Sequence, residues 1–125
     1  MREQKFYICK HCGNIVNLVK SAGVPVVCCG EQMQELIPGT VDAAVEKHVP
    51  EYELKDNKVY VKIGSVEHPM VPEHYIQWIW LQTQKGDQLV HLSPEQKPEA
   101  VFALTDGDKV EAVYEYCNLH GLWKK

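Results

Sequence analysis

The sequence predicts a mainly β protein in which a small N-terminal metal-knuckle unit precedes an antiparallel β-sandwich. Two observations lead to this fold class. Four of the five cysteines fall within the first 29 residues, in two pairs that are each followed by a glycine. Beyond residue 40, short apolar segments alternate with a period of two and are separated by Gly, Asp and Pro, which is typical of antiparallel strands. Only Val41–Lys47 has a weak helical pattern.

Two domains are predicted, and they meet at the turn signal Ile37-Pro38-Gly39-Thr40. Residues 1–37 form the first domain and residues 38–125 form the second. The first domain is too small to bury a sufficient apolar core unaided. A bound metal ion or a partner subunit must therefore stabilise it.

Turn signals and alternation predict a hairpin in the second domain. Asp56-Asn57 predicts a turn that joins Tyr52–Leu54 and Val59–Ile63 as antiparallel strands. In the first domain, Asn14–Val19 is predicted to be a short strand, and Val24–Val27 leads into the second cysteine pair.

The remaining strands of the second domain are predicted together with their faces. Tyr75–Gln82 is expected to be a strand with Ile76, Trp78 and Trp80 on one face. Gln88–Leu92 and Ala100–Leu104 are expected to be shorter strands. The last predicted strand, Lys109–Tyr116, places four residues on one face: Val110, Ala112, Tyr114 and Tyr116.

Composition and charge exclude several classes of protein. The chain of 125 residues has 45% apolar and 24% charged residues, which is typical of a globular protein and argues against disorder. A formal charge of −4 disfavours binding to nucleic acid or to an anionic membrane. No apolar run is long enough for a membrane span or a secretory signal, so a cytoplasmic protein is predicted.

The first candidate metal site consists of Cys9, Cys12, Cys28 and Cys29. Four thiolates suit a tetrahedral ion, either zinc or a single rubredoxin-like iron. The pair Cys28-Cys29 is adjacent, unlike the usual second Cys-x-x-Cys of a zinc ribbon, so the site should be distorted. The redox properties of iron would respond to that distortion, although a structural zinc site stays open. His11 lies within the first pair, and we predict a solvated side chain there.

The second candidate metal site gathers side chains from strand ends and loops, where a rigid sandwich can bring them together. Zinc takes four ligands and would leave one candidate over, and a blue-copper site would need a methionine after the last histidine. Four imidazoles and one thiolate around an octahedral ion leave one position open, which suits ferrous iron and a small ligand. His91 is predicted to be a surface side chain. The five candidates are His48, His68, His74, Cys117 and His120.

Six segments, taken in order, resemble the desulfoferrodoxin family of two-iron superoxide reductases over essentially the whole chain. Cys-x-x-Cys at 9–12 and Cys-Cys at 28–29 resemble the desulforedoxin-type iron site. The other four resemble the motifs of the catalytic domain: Glu-Lys-His-x-Pro at 46–50, His-Pro-Met at 68–70, His-Tyr-Ile-x-Trp-Ile at 74–79 and Cys-Asn-x-His-Gly-x-Trp at 117–123.

The resemblance implies a fold and a set of iron ligands. It implies a desulforedoxin-like domain over residues 1–37 and an immunoglobulin-like catalytic domain over residues 38–125. Two non-haem irons per chain are implied, one held by four cysteines and one by four histidines with an axial thiolate. The first set is Cys9, Cys12, Cys28 and Cys29, and the second is His48, His68, His74 and His120 with Cys117.

The resemblance also implies the one-electron reduction of superoxide to hydrogen peroxide, at a sixth iron position opposite Cys117. Lys47 adjoins a ligand, and it would either attract the anionic substrate, hold a water that delivers a proton, or be a solvated surface side chain. Glu46 would either close onto the vacant position once the iron is ferric, as the matching glutamate of the family does, or be a surface carboxylate. A homodimer and a small donor such as rubredoxin are implied as partners. Two other functions are possible from the residues alone. One is a small non-haem iron electron-transfer protein, and the other is a zinc-stabilised binding module, which would be colourless.

Overall fold

The computed structural model describes residues 2–125 and is mainly β. The described chain forms two compact units, one that ends at Ile37 and one that spans Pro38–Lys125. Antiparallel strands make up both units, so the predicted fold class is confirmed. Among the described residues, no helix has the length and apolar character that crossing a membrane requires.

The first unit is built from five very short strands. Strands β1 (Phe6–Ile8), β2 (Ile15–Asn17) and β5 (Gln34–Glu35) form a sheet in the order β2-β1-β5, and β3 (Val27–Cys28) pairs with β4 (Glu31–Gln32). The strand expected over Asn14–Val19 is therefore three residues long, and only Val27 of the segment Val24–Val27 lies in a strand. The buried apolar side chains of this unit are Phe6, Cys9 and Met33.

The second unit is a sandwich of two antiparallel sheets. Its single short helix is α1 (Val45–His48). One sheet has the order β10-β7-β6 and the other has the order β12-β11-β8-β9. The strands are β6 (Pro50–Lys55), β7 (Lys58–Ile63), β8 (Ile76–Thr83), β9 (Asp87–His91), β10 (Glu99–Ala103), β11 (Val110–Cys117) and β12 (Gly121–Lys124).

The apolar core lies between these two sheets. The three-stranded sheet contributes Val59, Val61, Ile63 and Phe102, and the four-stranded sheet contributes Ile76, Ile79, Leu81, Val113 and Cys117. Cys117, the predicted axial ligand, is fully buried at the end of this cluster. The core therefore fixes the strand end from which the candidate metal site begins.

The predicted hairpin is confirmed and is longer than expected. Strands β6 and β7 pair from Pro50 opposite Ile63 to Lys55 opposite Lys58. Asp56 and Asn57 occupy the turn with φ of 53° and 60°. Positive φ at both central residues is the type I′ geometry that matches the twist of paired strands.

The predicted face of β8 is wrong for Ile76. Trp78 and Trp80 share one face as predicted, but Ile76 faces the core together with Ile79 and Leu81. The pairing of β8 with β11 shifts between Tyr116 opposite Trp78 and Cys117 opposite Ile76. A one-residue irregularity of this kind reverses the face of every residue on one side of it.

The predicted face of β11 is wrong for Val110, again because of an irregular register. The register shifts between Val110 and Ala112, and Val110 packs on the core while Ala112 does not. Beyond the shift, Val113 and Cys117 face the core, whereas Ala112, Tyr114 and Tyr116 share the other face as predicted. Tyr116 stacks on Trp78 with ring centroids 5.8 Å apart, on the other face of the sheet.

Candidate metal centres

Two turns of the first unit bring four cysteines together. Cys9 and Cys12 lie in the turn after β1, Cys28 ends β3, and Cys29 follows it with a φ of 52°. The first turn is closed by the N–H of Gly13, which donates to the Cys9 carbonyl over 2.9 Å. Gly13 itself has a φ of 82°, a conformation that an L side chain rarely adopts.

The spacing of the sulfurs fits a tetrahedral ion. Metal–sulfur bonds of about 2.3 Å at tetrahedral angles place sulfurs about 3.8 Å apart. The Sγ atoms of Cys12 and Cys28 are 3.6 Å apart, and those of Cys28 and Cys29 are 4.0 Å apart. All four ligand atoms lie within 4.8 Å of one another. The adjacent pair is thus accommodated, with the strain taken by the backbone at Cys29.

The thiols of this group have very different proton affinities. Backbone N–H groups, first that of Cys12, lower the pKa of Cys9 to about 6. The neighbouring sulfurs, first that of Cys12, raise the pKa of Cys28 and raise that of Cys29 to about 12. Four thiolates at this spacing repel one another, so a cation is needed to hold all four without protons.

His11 does not belong to this ligand set. Its Nε2 lies 3.0 Å from Oε2 of Glu31, which follows the second cysteine pair, and both side chains are exposed. The side chain is solvated as predicted and also links the two turns that carry the cysteines.

The second group forms at one end of the sandwich. His48 ends α1, His68 and His74 lie between β7 and β8, Cys117 ends β11, and His120 lies in the turn before β12. Their ligand atoms all lie within 4.8 Å of one another. The structure therefore brings together all five residues that the sequence singled out, from four separate segments.

The four imidazoles are arranged as the corners of a square. Ring centroids of neighbours around the cycle are 4.7 Å apart for His48 and His68, 4.7 Å for His68 and His74, 5.1 Å for His74 and His120, and 4.9 Å for His120 and His48. Every pair meets edge to face. The Nε2 of His48 is 3.2 Å from Nε2 of His68 and 3.2 Å from Nδ1 of His120.

The thiol of Cys117 lies on the axis of this square. Its Sγ is 3.4 Å from Nε2 of His68 and 3.9 Å from Nδ1 of His120, which are diagonally opposite corners. A square with 3.2 Å edges has a diagonal of about 4.5 Å. A sulfur this close to both ends of a diagonal lies above the square and not beyond an edge.

Hydrogen bonds and aromatic contacts orient the rings. Nδ1 of His48 donates to the Ala44 carbonyl over 2.8 Å, and Nδ1 of His68 donates to the Pro69 carbonyl over 2.7 Å. Each bond leaves the Nε2 lone pair of that ring facing the centre, as in metal-bound histidines. Trp123 stacks on His48 at 4.9 Å and donates from Nε1 to the His120 carbonyl over 3.0 Å.

The protonation of the group suits a metal ion. Burial lowers the pKa of His48 and His74 and lowers that of His68 to about 4, so these rings are neutral ligands at pH 7. Nε2 of His74 is buried and has no hydrogen-bond partner among residues 2–125. Burial raises the pKa of the Cys117 thiol, so a bound cation is what would remove its proton.

The two sets therefore fit two iron sites, one with four cysteines and one with four histidines and a cysteine. A square of four imidazoles with one axial thiolate leaves one octahedral position, opposite the sulfur, without a protein ligand. Tetrahedral zinc would use only part of this donor set.

Glu46 and Lys47 lie beside the second set, on α1 directly before His48. Glu46 is exposed and Lys47 is half-buried. Burial is the main cause that lowers the pKa of His48 and of His74, and the ammonium of Lys47 lowers both further. The charge of Lys47 therefore lies near these two rings.

Sequence reasoning missed three residues in the elements around the second site. Glu115 faces the same side of β11 as Cys117 and is fully buried, and within residues 2–125 neither of its carboxylate oxygens has a hydrogen-bond partner. Asn118 bonds to the segment that carries His74. Gly64 has a φ of 77° and touches the main chain of Glu46 and Lys47. A glutamate within an apolar strand and a glycine at a strand end were the available signals for two of them.

A mainly β protein with these two ligand sets belongs to the class of two-centre non-haem iron proteins. Residues 1–36 match the family described as "Desulfoferrodoxin, N-terminal domain", and residues 40–125 match the family described as "Desulfoferrodoxin". The chain therefore belongs to the desulfoferrodoxin family.

Individual relatives agree over nearly the whole chain. A desulfoferrodoxin of Syntrophotalea carbinolica is 50% identical over 117 residues, covering 94% of this chain and 91% of the relative. A desulfoferrodoxin of Nitratidesulfovibrio vulgaris is 47% identical over 122 residues, covering 98% of this chain and 95% of the relative. Among solved structures, the superoxide reductase from Treponema pallidum has a TM-score of 0.84 at 46% identity, covering 99% of both chains.

Proposed function

We propose that this protein is a superoxide reductase whose active site is the group of four histidines and Cys117. The observation that carries the proposal is the square of imidazoles with a thiol on its axis. This arrangement leaves one position, opposite the sulfur, for a small ligand. The Treponema pallidum protein with the same architecture is a superoxide reductase.

The proposed reaction consumes one superoxide anion, one electron and two protons and produces one hydrogen peroxide. The five donors would hold an iron that supplies the electron, and the thiolate of Cys117 would tune the redox properties of that iron. The protein keeps His48, His68 and His74 neutral, so that they bind a cation without competing protons. The chain thereby holds the site ready for metal at neutral pH.

Lys47 and Glu46 are proposed to serve the open position. The half-buried Lys47 presents a positive charge near His48 and His74, which favours the approach of an anion to a protein of net charge −4. Its ammonium can also hold a water that delivers a proton. Glu46 is exposed, so its carboxylate would be accessible to close the open position once a bound iron is ferric.

The group of four cysteines is proposed to be an auxiliary iron centre that passes electrons. Cys12 and Cys29 are exposed, so an external donor can approach within contact distance of two of the ligand sulfurs. A small electron carrier of the rubredoxin type is the donor we propose. The second candidate function is electron transfer alone, because an exposed four-cysteine iron site is as suitable for an electron-transfer protein as for a superoxide reductase.

Rapid mixing of the reduced protein with superoxide tests these alternatives. In a superoxide reductase, superoxide rapidly oxidises the five-donor iron after mixing. The reaction yields one hydrogen peroxide per iron and releases no oxygen. An electron-transfer protein without an open position reacts slowly and equally at both centres. Production of half a dioxygen per superoxide would indicate dismutation and would contradict the proposal.

We further propose a homodimer located in the cytoplasm. The first unit buries few apolar side chains and leaves Val19, Val24, Val27 and Ile37 exposed, which favours a partner surface. None of the five cysteines forms a disulfide, as expected for a reducing compartment. Sedimentation at micromolar concentration should give the mass of two chains, and a monomer would contradict the dimer.

A further inference from the structure

The ring of His74 is held differently from the rings of His48 and His68, which are each hydrogen-bonded to a backbone carbonyl. Nδ1 of His48 and Nδ1 of His68 each donate to a carbonyl, which fixes the direction of the ring. Within residues 2–125 we find no such bond for His74, and its buried Nε2 has no partner. The direction of this ring therefore depends on how its main chain is held.

A single side chain holds the main chain on both sides of His74. The Oδ1 atom of Asn118 accepts from the Tyr75 N–H over 2.9 Å, and its Nδ2 donates to the Glu73 carbonyl over 3.0 Å. The Asn118 N–H also donates to the Tyr75 carbonyl over 3.3 Å. Rotation of the His74 backbone would have to break one of these bonds, because they bracket it.

Asn118 also belongs to the segment that carries two other ligands. It directly follows Cys117 and precedes His120 by two residues, and it is half-buried. We propose that Asn118 is a positioning residue that fixes His74 relative to Cys117 and so maintains the square of imidazoles. This inference rests on the five-donor centre and does not depend on which small molecule reacts there.

The chemistry of the contact requires an amide of this length. One end of the side chain faces an N–H and the other end faces a carbonyl, so it must accept and donate at once. Aspartate keeps the acceptor but turns a second carboxylate oxygen toward the Glu73 carbonyl. Alanine loses both bonds, and serine can form one of them at most.

The test compares Asn118→Asp, Asn118→Ser and Asn118→Ala in the full-length, iron-loaded protein. Removal of a group that orients a metal ligand typically costs about 10- to 100-fold in metal affinity or activity. We therefore expect EDTA to extract the five-donor iron at least about ten-fold faster from Asn118→Ala. The thiolate-to-iron absorption band of that centre should shift, and Asn118→Ser should lie between Asn118→Ala and the native protein.

Two controls separate positioning from a general loss of stability. The absorption bands of the four-cysteine iron, in the other unit, serve as an internal reference and should stay unchanged. Asn57→Ala removes another amide bond between loops of the same unit, that from Nδ2 of Asn57 to Asp106, which lies among the turns away from the ligand-bearing strand ends. Asn57→Ala should lower the melting temperature without altering the absorption of the five-donor iron.

Two results would overturn the inference. One is native absorption and native extraction rates for all three Asn118 variants. The other is an equal change in Asn57→Ala, which would show that the centre responds to any loss of stability. If Asn118→Ala does not fold, the comparison of Asn118→Ser with Asn118→Asp and the native protein still decides the question. None of these measurements of absorption and iron extraction uses superoxide. If they contradict the role of Asn118, the proposed function is therefore unaffected.

Discussion

At the scale of single residues, the second centre combines strong ligands with a small number of charged neighbours. Three of its histidines are kept neutral by burial, and the ammonium of Lys47 strengthens that effect at two of them. A positive charge that disfavours protonation of the ligands also attracts an anion. We therefore propose that Lys47 acts both on the protonation of the ligands and on the approach of an anion.

Lys47→Ala should slow the bimolecular reaction with superoxide about ten-fold at low ionic strength, because electrostatic steering contributes factors of about 10 to 10³. The native rate should fall as salt is added, and that of the variant should fall less. Second-order rate constants at low and high salt provide the measurement. A native rate for Lys47→Ala at low salt would contradict the electrostatic role.

Glu46→Ala is the matched variant for this experiment. It removes a negative charge from the neighbouring residue, so the encounter should not slow. If its carboxylate closes onto the open position, the absorption of the ferric five-donor centre should change. The same spectrum in Lys47→Ala should remain native.

At the scale of the elements, the segment after β7 supports the helix that carries Glu46, Lys47 and His48. The N–H of Val66 and the hydroxyl of Ser65 both donate to the Glu46 carbonyl, over 3.0 Å and 3.4 Å. A Cβ at Gly64 would lie 2.6 Å from the Glu46 carbonyl oxygen and 2.8 Å from the Lys47 carbonyl carbon. Only glycine allows the two backbones to approach this closely.

Gly64→Ala should therefore displace α1 and alter the absorption of the five-donor iron. Gly107→Ala is the matched control, because Gly107 has a φ of 80° but no atom within 4 Å of an added Cβ. Each substitution places alanine in a left-handed conformation, at a cost of about 1–2 kcal/mol. Both should lower the melting temperature, and only Gly64→Ala should change the iron spectrum. Equal spectra for the two variants would show that the close approach is unimportant.

The buried Glu115 on β11 makes stability depend on pH. Burial raises the pKa of this carboxyl well above its ordinary value of 4.5, so the folded state keeps a proton that the unfolded state loses. The contribution of this carboxyl to stability therefore falls as the pH rises above about 4.5, by up to about 1.4 kcal/mol per pH unit, until the pH passes the folded pKa.

Glu115→Gln should remove this loss while preserving the shape of the side chain. The free energy of unfolding of the variant should exceed that of the native protein at pH 6, and the difference should widen at higher pH until the folded pKa is passed. Chemical denaturation of the iron-loaded proteins from pH 6 to pH 9 measures it. If the native protein were more stable than Glu115→Gln at every pH, the destabilising effect of the carboxylate would be contradicted.

At the scale of the whole molecule, each compact unit contains one complete metal centre. All ligands of the four-cysteine set come from the unit that ends at Ile37, and all five of the other set come from Pro38–Lys125. The two centres should therefore be loaded and lost independently.

Cys28→Ser tests this independence through metal content. The native protein should contain two irons per chain, and the variant should lose the four-cysteine iron because that set then lacks one thiolate. The absorption of the five-donor iron should remain native. Elemental analysis with the visible spectrum gives both numbers. Two zinc ions and a colourless native protein would contradict the iron assignment.

The ligand sets could be predicted from the sequence because donor chemistry depends on residue type and on short spacings. Cys9 with Cys12, and Cys117 with His120, lie three residues apart in single turns, so local geometry brings each pair together. The Asp56-Asn57 turn was predictable for the same reason, since the conformation of a two-residue loop depends on the residues within it.

Only the tertiary structure decided the features that depend on distant segments. The irregular pairing of β8 with β11 determines which faces of both strands meet the core, and no local alternation encodes that register. The order of the four histidines around the square, the place of Asn118 beside His74 and the burial of Glu115 likewise arise between segments far apart in sequence. Packing of two sheets selects these contacts, because each requires partners that the chain brings together only when it folds.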